Sequence, residues 1–208
     1  MINFQDPARP MIEKQHSMHD WMLLFILTIA FIISLGIKLL DTKFTYRLFE
    51  EEQSVELIWT LLPSFILMRL RIPALNLLYF FDEMGPVRIS VKALGHQWYW
   101  HYDYPCGSFD SYIKGSYRVL EADHRIFTPT STGVRLLIRA ADVLHSWTIP
   151  TMGLKADAVP GRVNKLSLFT KRPGVYYGQC REICGRNHSF MPISIERVIF
   201  NLSYTLKV

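Results

Sequence analysis

Two long apolar stretches occupy most of the first third of the chain. Residues 21–40 form a continuous apolar stretch whose only charged side chain is Lys38, near its end. A helix of that length rises roughly 30 Å, the thickness of the hydrocarbon core of a bilayer. Residues 57–81 form a second stretch, long enough to span with some tilt, and the connector between the two is polar. The pattern predicts a two-helix transmembrane hairpin.

A cleaved signal peptide is the alternative interpretation of the first stretch. Such a peptide opens with a basic segment and ends at a small-residue cleavage site. Here the stretch is preceded by Glu13, His16, His19 and Asp20, and it has no clear cleavage site. A retained span is therefore the better prediction. Two spans place the N-terminus and the rest of the chain on the same side of the membrane.

From about residue 85 the pattern changes to short strand-like runs separated by turn residues. Residues 134–140 and 163–169 have β-like content with partial alternation, and residues 192–196 begin a last strand. Turn residues punctuate this segment at Gly153, Pro160, Gly161, Pro173 and Gly174. Many short strands with turn residues between them favour a Greek-key sandwich or barrel. We therefore divide the chain into a hairpin domain, 1–84, and an all-β domain, 85–208.

Five potential metal ligands lie in the last third of the chain. Cys180, Cys184, His188 and Met191 follow one another at short spacings, and His145 stands alone upstream. Two thiolates, two imidazoles and a thioether favour copper over magnesium, calcium or manganese. With both cysteines in one tight loop, each sulfur could bridge two metals, an arrangement suited to passing single electrons.

Two other interpretations of these residues remain open on spacing alone. A Cys-x3-Cys pair also suits a disulfide or half of a zinc site, and the two histidines would complete four zinc ligands. Met191 favours copper, because zinc has little use for a thioether. Cys106, the third cysteine, lies outside this pattern and is interpreted as a free thiol without an assigned role.

Four segments of the chain resemble the cytochrome c oxidase subunit 2 family. Residues 178–192, GQCREICGRNHSFMP, resemble its dinuclear copper (copper A) loop, and residues 95–100, GHQWYW, resemble its aromatic signature. Residues 142–147, DVLHSW, and 157–162, DAVPGR, are similar to the family as well. The resemblance runs in order from about residue 4 to residue 198 and includes the hairpin. It implies a cupredoxin-like Greek-key domain with ligands on loops at one end.

The resemblance also implies a ligand set for two copper ions. The six predicted ligands are His145, Cys180, Glu182, Cys184, His188 and Met191. In the family the glutamate donates through its backbone carbonyl, while its side chain helps to hold a magnesium ion shared with the partner subunit. Glu182 would therefore serve both metals.

Further roles follow from the same resemblance. Trp98 matches the surface ring where electrons enter from cytochrome c, and Glu56 matches a glutamate at the mouth of a proton path into the catalytic subunit. Carboxylates near such a ring attract a basic electron carrier, and the candidates are Asp103, Asp123 and Asp142. The alternatives are core packing in the aromatic run, an interfacial acid for Glu56 and ordinary solvated acids for the aspartates.

The implied function is that of subunit 2 of a cytochrome c oxidase. Such a subunit accepts electrons from cytochrome c and passes them to haem in subunit 1, where oxygen is reduced to water and protons are pumped. The implied partners are cytochrome c, subunit 1, other oxidase subunits and membrane lipid, not nucleic acid. The expected location is the mitochondrial inner membrane, with the copper domain in the intermembrane space; a bacterial plasma membrane is the alternative.

Three other functions compete with this one. A copper-free scaffold subunit of a quinol oxidase has the same shape, but such relatives lack the copper ligands present here. A nitrous oxide reductase carries a similar copper loop but needs a large additional domain, and the hairpin argues against it. A zinc-stabilised membrane module is the remaining alternative on ligand chemistry.

Several arginines do not suit the resemblance. Six stand where the family commonly has serine: Arg9, Arg88, Arg139, Arg181, Arg186 and Arg197. Arg69 and Arg71 lie within the second span, where each charge costs about 2.5–3.5 kcal/mol. We hypothesise that these eight codons are AGA or AGG, which several invertebrate mitochondrial codes read as serine. Removing eight positive charges would take the formal net charge from +5 to −3, a better sign for docking a basic cytochrome. Arg118, Arg125, Arg162 and Arg172 fall where the family has arginine.

Overall fold

The computed structural model describes residues 4–40, 51–82, 85–115 and 119–199. These residues divide into two compact units. One contains the two long helices from Glu13 onwards. The other contains the strands together with the N-terminal residues up to Ile12, and it is called the β domain below.

Two long helices include both predicted spans. Helix α1 covers Pro10–Leu40 and helix α2 covers Gln53–Asp82. Both are longer than the apolar stretches, since each begins in polar sequence, and proline is favourable at the start of α1. Both are long and apolar enough to cross a membrane, and no residue of their most apolar windows is buried. Of the predicted connector, 41–56, residues 41–50 lie outside the described residues, and the last four residues belong to α2.

The β domain is built from short strands. Within the described residues they are β1 Ile89–His96, β2 Tyr99–Tyr104, β3 Gly107–Ser111, β4 Ile126–Pro129, β5 Val134–Ala140, β6 His145–Ile149, β7 Leu154–Ala158, β8 Asn164–Leu168, β9 Gly174–Gln179 and β10 Pro192–Val198. A five-stranded sheet has the order β3-β2-β1-β5-β8, a three-stranded sheet has the order β4-β10-β9, and β6 pairs with β7. The neighbours β1 and β5, and likewise β4 and β10, run parallel, whereas the other pairs are antiparallel.

The predicted fold class is confirmed: two long apolar helices precede a cupredoxin-like β domain. The strand predicted at 134–140 coincides with β5, and its residues alternate between the buried core and a more exposed face. The strand predicted at 163–169 is β8, and the one predicted from 192 is β10, which continues to Val198. The predicted turn residue Gly153 is in the left-handed conformation, with φ of 58°.

The core of the β domain lies directly beneath the ligand-bearing loops. All five residues of β6 are buried, and Trp147 in its centre donates its indole N–H to the hydroxyl of Tyr102, at 3.3 Å. Burial raises the pKa of Tyr102 far above its usual value, so the hydroxyl stays neutral. At the N-terminus Ala8 is buried, and its N–H donates to the carbonyl of Thr151 at 2.9 Å. The domain boundary proposed between residues 84 and 85 stays a prediction.

Candidate metal centre

The strand arrangement brings the predicted ligands to one end of the β domain. Strands β9 and β10 are antiparallel neighbours, with Gln179 opposite Pro192. Cys180 follows Gln179 directly and Met191 precedes Pro192, so the two side chains start from the same end of this strand pair. His145 opens β6, the strand whose Ser146 carbonyl accepts a hydrogen bond from the N–H of Arg181.

The six predicted ligands form one connected group. The Sγ of Cys180 lies 3.9 Å from Nδ1 of His145 and 3.4 Å from the carbonyl oxygen of Glu182. The Sγ of Cys184 lies 3.4 Å from Nδ1 of His188 and 3.5 Å from Sδ of Met191. Ligand atoms of His145, Cys180 and Cys184 all lie within 4.8 Å of one another. A metal could therefore enter this group without a large movement of the backbone.

Asp142 orients His145. The His145 ring is fully buried, and its Nε2 lies 2.8 Å from Oδ1 of Asp142. An Nε2–H that donates to the carboxylate leaves Nδ1 directed at Cys180 as the free ligand atom. Partial burial alone would raise the pKa of Asp142, but hydrogen bonds from His145 and from the backbone of Val143 and Gln97 lower it. The carboxylate therefore stays ionised as a hydrogen-bond acceptor for His145.

The two cysteines have opposite electrostatic environments. Burial opposes ionisation of Cys180, yet hydrogen bonds with His145 and with the backbone near Glu182 and Ser146 lower its pKa. Burial raises the pKa of Cys184, and the neighbouring charge of Cys180 adds to this effect. The thiol of Cys184 therefore ionises at a higher pH than that of Cys180, and metal binding has to release a proton from Cys184.

Two glycines allow the aromatic segment 95–100 to lie against the ligands. A Cβ at Gly95 would lie 2.9 Å from Cδ2 of His145, closer than real Cβ contacts. A Cβ at Gly185 would lie 3.1 Å from the ring of Trp98, and Gly185 has a φ of +119°. The Trp98 ring is half-buried and donates to the carbonyl oxygen of Cys184 at 3.2 Å. Trp100, by contrast, is fully buried in the core.

The three predicted docking acids already have partners within the β domain. Asp103 lies 3.2 Å from Nε2 of His101. Asp123 accepts from the backbone N–H groups of Tyr112 and His124, both at 2.7 Å. Asp142 faces His145, as described above. Their role in docking stays a prediction.

Glu56 lies in the first turn of α2 and is exposed. Its backbone carbonyl accepts a hydrogen bond from the hydroxyl of Thr60 at 2.8 Å. These contacts are those of an ordinary helical residue, so the predicted role of Glu56 at a proton path also stays a prediction.

The sequence pattern did not indicate two of these interactions. Asp142 was expected only as a docking acid, whereas the structure shows its carboxylate on the ring of His145. Gln97 carried no predicted role, yet its side-chain amide donates to the carbonyl of Cys184 at 2.8 Å. Gln97 and Cys184 are 87 positions apart. Gln97 lies within the GHQWYW motif, but the motif does not indicate this contact.

Comparison with known proteins agrees with this geometry. The family model described as cytochrome c oxidase subunit II, periplasmic domain, matches residues 89–198. The model described as cytochrome c oxidase subunit II, transmembrane domain, matches residues 1–77. The chain belongs to the cytochrome c oxidase subunit II family. Two membrane-spanning helices followed by an extramembrane domain are therefore the architecture of this subunit.

Two solved structures of subunit II domains are similar to this chain. One is the periplasmic domain of subunit II of cytochrome oxidase (CoxB) of Bradyrhizobium japonicum. It is 38% identical over 56% of this chain and 88% of that chain, with a TM-score of 0.54. The other is a mixed disulfide intermediate between a thioredoxin-like protein and subunit II of cytochrome c oxidase. It is 37% identical over 56% of this chain and 86% of that chain, with a TM-score of 0.50.

Proposed function

We propose that this subunit II accepts electrons from cytochrome c at a dinuclear copper centre and passes them to haem in subunit 1. The observation that carries this proposal is the single cluster formed by the six predicted ligands, with His145, Cys180 and Cys184 all buried. Reduction of oxygen to water and proton pumping would then take place in the partner subunit.

The chemistry of this cluster fits copper. Two sulfurs, two imidazole nitrogens, a thioether and a carbonyl oxygen form a soft ligand set, and Met191 is 1% exposed with its Sδ beside the Sγ of Cys184. A closed zinc site has no use for this thioether. Copper ions bound here would supply a one-electron centre whose charge is shared between two metals. The ligands would be His145, Cys180, Glu182, Cys184, His188 and Met191, with Glu182 acting through its carbonyl.

The residues around the cluster hold it rigid and exclude water. Asp142 fixes the ring of His145 from one side, and β6, wholly buried, fixes its backbone. Ligands that are already in position need little rearrangement when an electron arrives. Trp98 connects the cluster with the surface, because it is only partly buried and its ring donates a hydrogen bond to the carbonyl of Cys184. This contact supports Trp98 as the point of electron entry.

Other roles are proposed from the family. Asp103, Asp123 and Asp142 would attract a basic cytochrome. The side chain of Glu182 would hold magnesium together with subunit 1, and Glu56 would open a proton path. The complex would lie in the mitochondrial inner membrane, with the β domain in the intermembrane space.

A thioredoxin-like protein is a further proposed partner. A related subunit II forms a mixed disulfide with such a protein. Cys180 and Cys184 lie close enough in space for oxidation to a disulfide to compete with copper binding. We propose that a thioredoxin-like dithiol reduces this disulfide by exchange and is itself oxidised, which leaves both thiols free to bind copper.

Copper loading of the full chain in detergent tests the proposed function. We expect two copper ions per chain that share one unpaired electron, measured by metal analysis and electron paramagnetic resonance. Cys184→Ser should abolish that spectrum, whereas Cys106→Ser, at an exposed cysteine outside the cluster, should leave it unchanged. One copper ion, zinc alone or no metal would contradict the proposal and favour the copper-free scaffold or the zinc-stabilised module.

A further inference from the structure

Gln97 joins two halves of the metal centre that are distant in sequence. It lies in the turn between β1 and β2, with an exposed side chain. Its backbone N–H donates to Oδ2 of Asp142 at 2.7 Å, and its side-chain amide donates to the carbonyl oxygen of Cys184 at 2.8 Å. One residue thus contacts the carboxylate that orients His145 and the peptide that carries Cys184.

On the histidine side, Gln97 helps to fix the carboxylate. Oδ1 of Asp142 accepts from Nε2 of His145 at 2.8 Å and from the N–H of Val143 at 2.6 Å. The other oxygen, Oδ2, accepts from Gln97. With both oxygens held, the carboxylate cannot rotate without breaking a hydrogen bond, so the His145 ring keeps one orientation.

On the cysteine side, Gln97 and Trp98 share one acceptor. Both side chains donate to the Cys184 carbonyl, Gln97 at 2.8 Å and Trp98 at 3.2 Å. The packing is close, since a Cβ at Gly185 would lie 3.2 Å from Nε2 of Gln97. These two donors fix the peptide group that follows Cys184. The Sγ of the same residue contacts His188 and Met191.

We propose that Gln97 is a positioning residue of the metal centre: it fixes the His145 half and the Cys184 half relative to each other. The inference rests on the proposed function, because it assumes that these side chains bind copper. Gln97 touches no ligand atom of the proposed set, so its effect would pass through Asp142 and the Cys184 carbonyl. Trp98 alone would then hold that carbonyl when the Gln97 amide is lost.

Substitution of Gln97 in the copper-loaded full chain in detergent tests this inference. Gln97→Glu keeps the size of the side chain but replaces the amide donor by a carboxylate, and Gln97→Leu removes its polarity. For both we expect two bound copper ions, an altered copper hyperfine pattern in electron paramagnetic resonance, a shifted reduction potential, and copper affinity lowered by about 10-fold in competition with a chelator. Gln97→Asn keeps a shorter donor and should restore part of the native spectrum and affinity.

Gln179 provides a matched control. It precedes Cys180, and its amide donates at 3.4 Å to the carbonyl of Val119, which belongs to neither half of the centre. Gln179→Glu adds the same charge close to the site and should leave the hyperfine pattern as in the wild type.

Two outcomes would overturn the inference, and only the second would also overturn the proposed function. If the wild-type chain binds two copper ions and Gln97→Leu has the wild-type spectrum, potential and affinity, Gln97 does not position the centre, although the proposed function stands. If the wild-type chain itself fails to bind two copper ions, the proposed function fails, and the inference fails with it.

Discussion

At the residue scale, position 95 has to be glycine because the ring of His145 leaves no room for a side chain there. The ring is completely buried and held by Asp142, so it has little freedom to move away from a new side chain. Gly95→Ala would place a Cβ 2.9 Å from Cδ2 of His145. We expect this substitution to lower the free energy of unfolding of the metal-free β domain by about 1–3 kcal/mol, measured by denaturant titration.

Gly115 provides the control for this prediction. A Cβ at Gly115 would meet no atom of the described residues within 4 Å, so Gly115→Ala should change the free energy of unfolding by a few tenths of a kcal/mol. If Gly95→Ala costs no more than Gly115→Ala, the His145 ring adjusts freely and the argument from close packing is wrong.

The sequence indicated six candidate ligands, which the structure brings together, but not the residues that contact them. Cysteines, histidines and a methionine at short spacings are recognisable because soft ligands are uncommon together. Gly95, Gln97 and Asp142 are ordinary residue types, and their importance arises from contacts that join distant parts of the chain. Gln97 is 45 positions from Asp142, and no local pattern records such a pairing.

At the element scale, His101 joins strands β2 and β3. Its Nδ1 lies 2.6 Å from Asp110 on β3, and its Nε2 lies 3.2 Å from Asp103 on β2. The hydrogen bond with Asp110 and then that with Asp103 raise the pKa of His101, although partial burial opposes them. When it is protonated, the imidazole can donate to both carboxylates and join the two strands.

The imidazole of His101 should consequently stabilise the β2–β3 strand pair more at acidic than at basic pH. The comparison is with a variant that lacks the imidazole. A raised folded-state pKa adds stability that is complete below the unfolded value, about 6.5, and is lost as the pH rises through the folded value. We expect His101→Gln to cost about 0.5–1 kcal/mol at pH 5.5 and less at pH 9, measured by denaturant titration of the β domain. Asp110→Asn, which removes the shorter contact, should reduce this pH dependence; an equal cost at both pH values would contradict the assignment.

The sequence predicted the positions of strands that have one buried face, but it did not predict which strands pair with each other. β5 was recognisable because Val134, Leu136, Ile138 and Ala140 alternate with more exposed positions. Its parallel pairing with β1 was not, because parallel neighbours are joined by long crossovers whose register depends on the packed domain. The two helices were predicted from the length of their apolar stretches. The polar residues at their beginnings were not predicted as helical, because they lie outside those stretches.

At the scale of the whole molecule, the arginines fall into two kinds. Arg125, at a position where the family has arginine, forms ion pairs with Glu121 at 3.0 Å and Glu196 at 3.1 Å. Arg197, at a serine-like position, is 1% exposed, and its Nη1 has no hydrogen-bond partner among the described residues. Burial lowers the pKa of Arg197 to about 10. Arg9 is also buried, and burial lowers its pKa as well.

These environments favour a small neutral residue at position 197. Arg197 donates from Nε to the hydroxyl of Thr170 at 2.9 Å and from Nη2 to the carbonyl of Thr132 at 3.4 Å, but it forms no ion pair among the described residues. A buried charge without a counter-ion costs several kcal/mol. In a recombinant protein that carries the arginine, we expect Arg197→Ser to raise the free energy of unfolding by roughly 1–3 kcal/mol after the cost of the new cavity. Arg125→Ser, which breaks two ion pairs, should lower it. A loss of stability in both variants would show that Arg197 belongs in the fold.

The other arginines of the β domain at positions where the family commonly has serine affect the surface charge rather than the stability of the fold. Arg88, Arg139, Arg181 and Arg186 are exposed, so either residue is compatible with the β domain. With all eight positions as serine the formal charge is −3 instead of +5. The proposed attraction of a basic cytochrome by Asp103, Asp123 and Asp142 depends on this difference, because a positive surface around the Cys180–Cys184 loop would oppose the approach.

Tryptic digestion of the native protein decides between the two forms. Trypsin cleaves after arginine and lysine but not before proline, so serine at 181, 186 and 197 predicts one peptide covering residues 172–207. Arginine at these positions predicts cleavage after each of them. We expect the single long peptide, with a mass that corresponds to three serines, since the burial of Arg197 without an ion-pair partner among the described residues and the charges beside the Cys180–Cys184 loop disfavour arginine. Peptides that end at 181, 186 and 197 would establish true arginines, and electrostatic docking through the three aspartates would then lose its main support.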